Sequence, residues 1–136
     1  MTTAIPLTLH LLILIGLYEL AAGLAGFTDS INWRAIIAEF DRSPALTFIT
    51  GFMVFVLGGV LIIVHSIWTD PLAIIVSAIG WIAAAEGLLL MAKPRALFAI
   101  SRRLVGNQML ISTLATIFGL ILIVLGLTGH ADPTAL

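Results

Sequence analysis

Between Gly58 and Gly87 the chain reads GGVLIIVHSIWTDPLAIIVSAIGWIAAAEG, two apolar runs separated by one short polar break at Trp68-Thr69-Asp70-Pro71. Runs of this length and polarity are unsuited to a soluble surface and predict a transmembrane helical hairpin. A hydrocarbon core about 30 Å thick takes about 20 residues of helix at about 1.5 Å per residue. Applied along the whole chain, that test predicts four spanning helices, over about 4–25, 44–68, 71–92 and 108–128. The expected fold class is all-α: a single polytopic membrane domain over residues 1–136. The composition agrees, because 61% hydrophobic and 10% charged residues leave too few polar side chains to coat a soluble domain. A net charge of -1 gives no support to nucleic-acid binding, and the absence of cysteine excludes disulfides, thiolate metal sites and a catalytic thiol.

Local signals place the boundaries. Thr3 is an expected cap for the first helix, with Pro6 in its first turn. Ser43-Pro44 and Asp70-Pro71 each pair a capping residue with proline at the first helical position, and Asn107 caps the last helix. The first segment is not expected to be a cleaved secretory signal: no Lys or Arg precedes it, and it is longer than a signal core. In FTDSINWRAIIAEFDRS, Trp33, Ile36, Ile37 and Phe40 recur at helical spacing, predicting a short amphipathic helix at the membrane interface. A second amphipathic connection, 93–106, is expected to turn Leu97, Ile100, Ser101 and Leu104 to one side. The tail GHADPTAL is expected to fray.

All six cationic residues, Arg34, Arg42, Lys93, Arg95, Arg102 and Arg103, fall in these two connections. The positive-inside tendency makes that side cytoplasmic and puts both termini outside. There is also an internal echo. RAIIAEFDR (34–42) matches RALFAISRR (95–103), Ile15-Gly16 and Gly23-Leu24 recur as Ile79-Gly80 and Gly87-Leu88, and LGGVLIIV aligns loosely with IFGLILIV. A parallel duplication of a two-helix unit accounts for the echo, as does the compositional sameness of apolar helices and basic elbows.

Three ionisable residues need a reason. Glu19 and Glu86 each lie fifteen residues beyond the expected start of their helix, so both are expected at one depth in the half nearer the arginines. There, as candidates for buried ionisable groups in the bundle interior, they share a proton or cation, or are simply protonated and hydrogen-bonded, or reach toward Lys93 or an elbow arginine. His65 continues a seven-residue stripe with Gly51 and Gly58 and is expected to be an interior, hydrogen-bonded histidine. Trp33 and Trp68, with Arg34, Arg42, Arg95, Arg102 and Arg103, are expected as interfacial anchors, whereas Trp81 falls near mid-bilayer. No zinc motif, nucleophile elbow or phosphate loop occurs, so no catalytic residue and no enzyme activity are expected.

At SPALTFITG, IIVHSIW and IGWIAAAEGLLL, across roughly residues 34–95, the chain resembles a group of small uncharacterised bacterial four-helix integral membrane proteins. In that group a lysine often stands where Glu86 stands here. The resemblance implies a multi-pass protein of the bacterial inner membrane and nothing catalytic. The expected function is a non-catalytic accessory or structural subunit, packing through small-residue faces against other membrane subunits or itself. The alternatives are a small proton- or cation-coupled transporter or channel subunit using Glu19 and Glu86, and a haem, metal or pigment binder through His65. Membrane lipid is the expected companion; no metal or other cofactor is predicted, and no nucleic-acid partner.

Overall fold

A computed structural model describes residues 1–3, 5–28, 31–104 and 106–132, with the side chains of 103 and 104 outside the described set. Among these residues the order is β1 (Thr2–Thr3), α1 (Pro6–Phe27), α2 (Trp33–Arg42), α3 (Pro44–Val64), α4 (Pro71–Ala92), α5 (Pro94–Leu104), α6 (Gln108–Thr128) and β2 (His130–Ala131). α1, α3, α4 and α6 are long and apolar enough to cross a membrane. The short amphipathic α2 and α5 gather at one end, joined by a stack of Phe40 on Phe98 at 6.5 Å between ring centroids. We call this the arginine end.

The capping signals account for most boundaries. Ser43 Oγ accepts from Leu46 N, Asp70 Oδ1 from Ala73 N, and Asn107 Oδ1 from Leu110 N. The first helix differs from expectation. It starts at Pro6 behind Ile5, with no side-chain cap, because Thr3 is drawn into β1 instead. α3 stops at Val64 rather than running to Trp68, for a reason that belongs to the site described below. The tail is not frayed through residue 132: β2 pairs in parallel with β1, Thr2 opposite His130 and Thr3 opposite Ala131, and Asp132 N donates to Thr3 O at 2.8 Å. Residues 133–136 lie outside the described residues. In α5 the buried position is Phe98, 5% exposed, while Ile100 is 58% exposed. The apolar face is thus rotated from the expected 97/100/101/104 stripe toward 94/97/98/101, drawn by the stack with Phe40.

The four spans form two close pairs, α1 with α6 and α3 with α4, and α1 makes the main bridge to α4. Glycine permits the close approach. A Cβ on Gly23 would meet Thr116 N at 2.6 Å and Ser112 O at 2.8 Å; one on Gly87 would meet Phe55 N and, at 2.6 Å, Gly51 O. Likewise Gly119 faces Leu20 N and Gly16 O, as Gly58 faces Ala84 N and Gly80 O. Each of these contacts in one pair has its counterpart in the other, sixty-four positions on for α1 and α4 and sixty-one for the second helix. The helix lengths repeat too, 22, 10 and 21 residues against 22, 11 and 21. The halves are therefore structurally repeated, in the same direction. The repeat also corrects one register: LGGV over IFGL aligns Gly59 with Gly119, but Gly58 is the packed counterpart and Gly59 has nothing within 4 Å.

The core shared by the two pairs is confined to the end that carries the chain termini. Leu12, Leu72, Val76 and Leu122 are 0–1% exposed there, with Ile15, Leu61 and Ile79 packed around them. Toward the arginine end the buried span residues, such as Gly23, Ser112, Gly51, Gly87 and Leu90, sit in contacts within one pair or the other.

Candidate functional site

Where the pairs converge, a buried hydroxyl–imidazole cluster replaces apolar packing. His65 is 1% exposed, and Thr8 and Ser77 are 0% exposed. Thr8 Oγ1 lies 2.8 Å from His65 Nε2, and Ser77 Oγ lies 3.2 Å from Nδ1. Ser77 Oγ also accepts from Ile67 N at 2.9 Å and reaches Ile67 O at 2.9 Å. One hydroxyl carries one proton, and the Ile67 carbonyl takes it; Nδ1 must then donate to Ser77, and Nε2 accepts from Thr8. The imidazole is thus clasped between a hydroxyl of α1 and a hydroxyl of α4.

This cluster also ends α3. His65 N closes the last helical turn on Leu61 O at 2.8 Å, and Ser77 then takes over the Ile67 backbone, so residues 65–68 leave the helix. Beside it, Thr3 Oγ1 donates to Asp70 Oδ2 at 3.1 Å, tying the β1–β2 clasp to the start of α4. Burial pushes the His65 pKa down, partly opposed by its own backbone and by the Asp70 charge. Sequence reading placed His65 in the interior but missed Thr8 and Ser77, because lone hydroxyls in apolar helices are too common to stand out. A metal or haem iron at His65 has to displace one of the two hydroxyls, since both ring nitrogens are engaged. Among the described residues no group of His, Asp and Glu gathers as a metal site.

The two carboxyls are placed differently. Glu19 is half-buried and follows Thr8, Leu12 and Ile15 on the α1 stripe that meets α4. Glu86 is exposed, at the edge of the α4 stripe of Leu72, Val76, Ile79 and Ala83, and not in the bundle interior as expected. Nor do their levels coincide: in the register of the packed repeat Glu86 corresponds to Ala22, three residues, about 4.5 Å, beyond Glu19. Neither has a hydrogen bond or ion pair among the described residues.

At the arginine end, Arg102 pairs with Asp41 at 2.6 Å and Arg34 donates to Gly106 O. Arg42 and Arg95 are exposed; the Arg103 side chain lies outside the described residues. Trp68 is 53% exposed, as an anchor should be. Trp33 is not a plain surface anchor. Its Nε1 is buried beside Gly26 without a partner among the described residues, as is Ser112 Oγ, so the indole plugs the end of the α1–α6 pair. Gln108 Nε2 closes the same end, donating to Gly26 O and Ile31 O at 3.0 Å each.

Comparison with protein families, curated proteins and solved structures finds no match. The class rests on the fold itself: an all-helical chain with four membrane-length apolar helices, compatible with a multi-pass membrane protein. Within that class this chain is marked by the Thr8–His65–Ser77 cluster and by two carboxyls, Glu19 and Glu86, carried on spanning helices.

Proposed function

We propose that the chain is a non-catalytic integral protein of a bacterial inner membrane, with its arginine end cytoplasmic and both termini periplasmic. It acts as an accessory or structural subunit, packing against another membrane protein or against copies of itself. The observation that carries this reading is the free face of α4. Glu86 stands there beside Ile82, Ala85 and Leu89, all exposed, with Trp81 52% and Ile82 65% exposed. An ionisable side chain turned toward lipid is costly, and a neighbouring helix that covers it and supplies a hydrogen bond removes the cost.

The natural absence of cysteine makes the test direct. A single Ala85→Cys probe is expected to cross-link in native membranes, to a second copy or to another subunit, whereas Leu120→Cys on the exposed side of α6 is expected not to. A lone monomer in mild detergent, with no cross-link from Ala85→Cys, sinks the reading.

A second reading has its own support, because Glu19 on the α1 stripe and Glu86 at the edge of the α4 stripe both lie past the core where those stripes meet, toward the arginine end. Such carboxyls suit proton or cation relay. If they work together, Glu19→Gln and Glu86→Gln abolish proton-dependent flux in liposomes singly, and the double variant loses nothing more. Flux unchanged in both variants removes this reading and leaves the first standing.

A further inference from the structure

Two cavities adjoin at the arginine end and share Asp41. The first, of about 460 Å³, is walled by Arg34, Ile37, Ala38, Asp41, Arg42 and Arg102. The second, of about 330 Å³, is mostly apolar and runs past Phe40, Phe48, Leu90, Met91 and Phe98 toward the α3–α4 pair. We propose that the two cavities together hold one anionic phospholipid, its phosphate against the arginines and part of an acyl chain in the apolar cavity.

Three guanidinium groups face one carboxylate in the first cavity, and that carboxylate is already committed to Arg102. Arg42 has no hydrogen bond or ion pair among the described residues, so its full donor set is available to an incoming anion. Planar guanidinium donors match phosphate oxygens in pairs, which favours phosphate over a simple halide. The Asp41–Arg102 pair holds α2 against α5, so the cavity is built by two elements and is not a property of either alone.

The position selects a lipid over a soluble phosphate. Arg42 immediately precedes the Ser43-Pro44 start of α3, at headgroup level in a spanning bundle, and Ile37 and Ala38 give the cavity an apolar wall. An acyl chain leaving a phosphate at this level finds Phe48, Leu90 and Met91 directly along the helices. Basic pockets between membrane helices are a recurrent way of holding acidic headgroups. The assignment depends on the chain lying in a membrane but not on association through α4.

The test is lipid retention by the purified full chain, read by native mass spectrometry after exchange into equal phosphatidylglycerol and phosphatidylcholine of the same acyl chains. The wild type is expected to retain phosphatidylglycerol preferentially. Arg42→Gln and Arg102→Gln are each expected to lower that retention about fivefold, the factor that corresponds to about 1 kcal/mol per basic residue. Lys93→Gln, outside the first cavity, is expected to leave it unchanged. Should Arg102→Gln fail to fold, Arg42→Gln carries the test, since it breaks no bond in the fold. Equal retention of the two lipids overturns the proposal, as does an equal loss in Lys93→Gln, which would mean unspecific surface charge. Displacement of phosphatidylglycerol by inorganic phosphate alone overturns it in favour of a soluble phosphate ligand.

Discussion

Gly58→Ala is expected to destabilise the protein severely, while Gly59→Ala, one residue on, leaves it unchanged or slightly more stable. The two positions share sequence context, helix and membrane depth. They differ in what a methyl group meets: at Gly58 it runs into Ala84 N and sits 2.8 Å from Gly80 O, whereas at Gly59 nothing lies within 4 Å. The contacted atoms at Gly58 are backbone, so no rotamer change relieves the clash and α3 must move off α4. Overpacking of this kind costs about 1–3 kcal/mol even where side chains can yield, and backbone yields less. The open site exchanges glycine for a better helix former, worth up to about 1 kcal/mol in water. Thermal unfolding in detergent micelles decides it; equal behaviour of the two variants refutes the packed α3–α4 contact. The repeat makes a matching claim for Gly119→Ala, which meets Leu20 N at 2.6 Å and Gly16 O at 2.7 Å.

The second large effect is expected at Ser77. Ser77→Ala leaves His65 Nδ1–H and Ile67 N–H without their acceptor in a site where His65 is 1% exposed. Orphaning a fully buried donor costs about 1–3 kcal/mol, and the Ile67 N–H, only part-buried, adds less, so the variant should lose about 2–4 kcal/mol, without any change of helix pairing. The same geometry sets a pH dependence. Burial lowers the folded-state pKa of His65, so between that value and the unfolded value of about 6.5 the unfolded chain binds more protons than the folded one. Stability is therefore complete above the unfolded value and declines as pH falls through the folded one. Unfolding temperatures should drop from about pH 7.5 toward about pH 5 in the wild type. His65→Gln should lie lower throughout but respond less to pH, because the group whose pKa burial lowers is gone. An unaltered pH response in His65→Gln would show that the cluster is not what titrates.

Much of the architecture was legible because it depends on properties that each segment carries by itself. Apolar length set the four spans, Ser43, Asp70 and Asn107 set three helix starts, and cation placement marked one end. The interior position of His65 was legible too, through its spacing from Gly51 and Gly58. Its partners were not: Thr8 and Ser77 lie 57 and 12 positions away, and nothing local distinguishes them from other small hydroxyls. The outward placement of Glu86 on the single chain was not legible for a related reason. Helical phase relates residues on one helix to each other, but which faces meet is decided only when helices pack.

The sequence by itself determined which stretches are helices of membrane length, where α3, α4 and α6 begin, and that arginine gathers in the two connections, since these follow from hydropathy, capping and charge along a single segment. Tertiary structure decided that α1 pairs with α6 and α3 with α4, that Gly58 and not Gly59 is the contact, and that the shared core lies at one end. It also decided that His65 is held between two hydroxyls while Glu86 faces outward. These depend on close approach between segments far apart in sequence. In chains this uniformly apolar, hydrophobicity cannot choose between faces, and the choice falls to fit: glycine against backbone, and hydroxyl against imidazole.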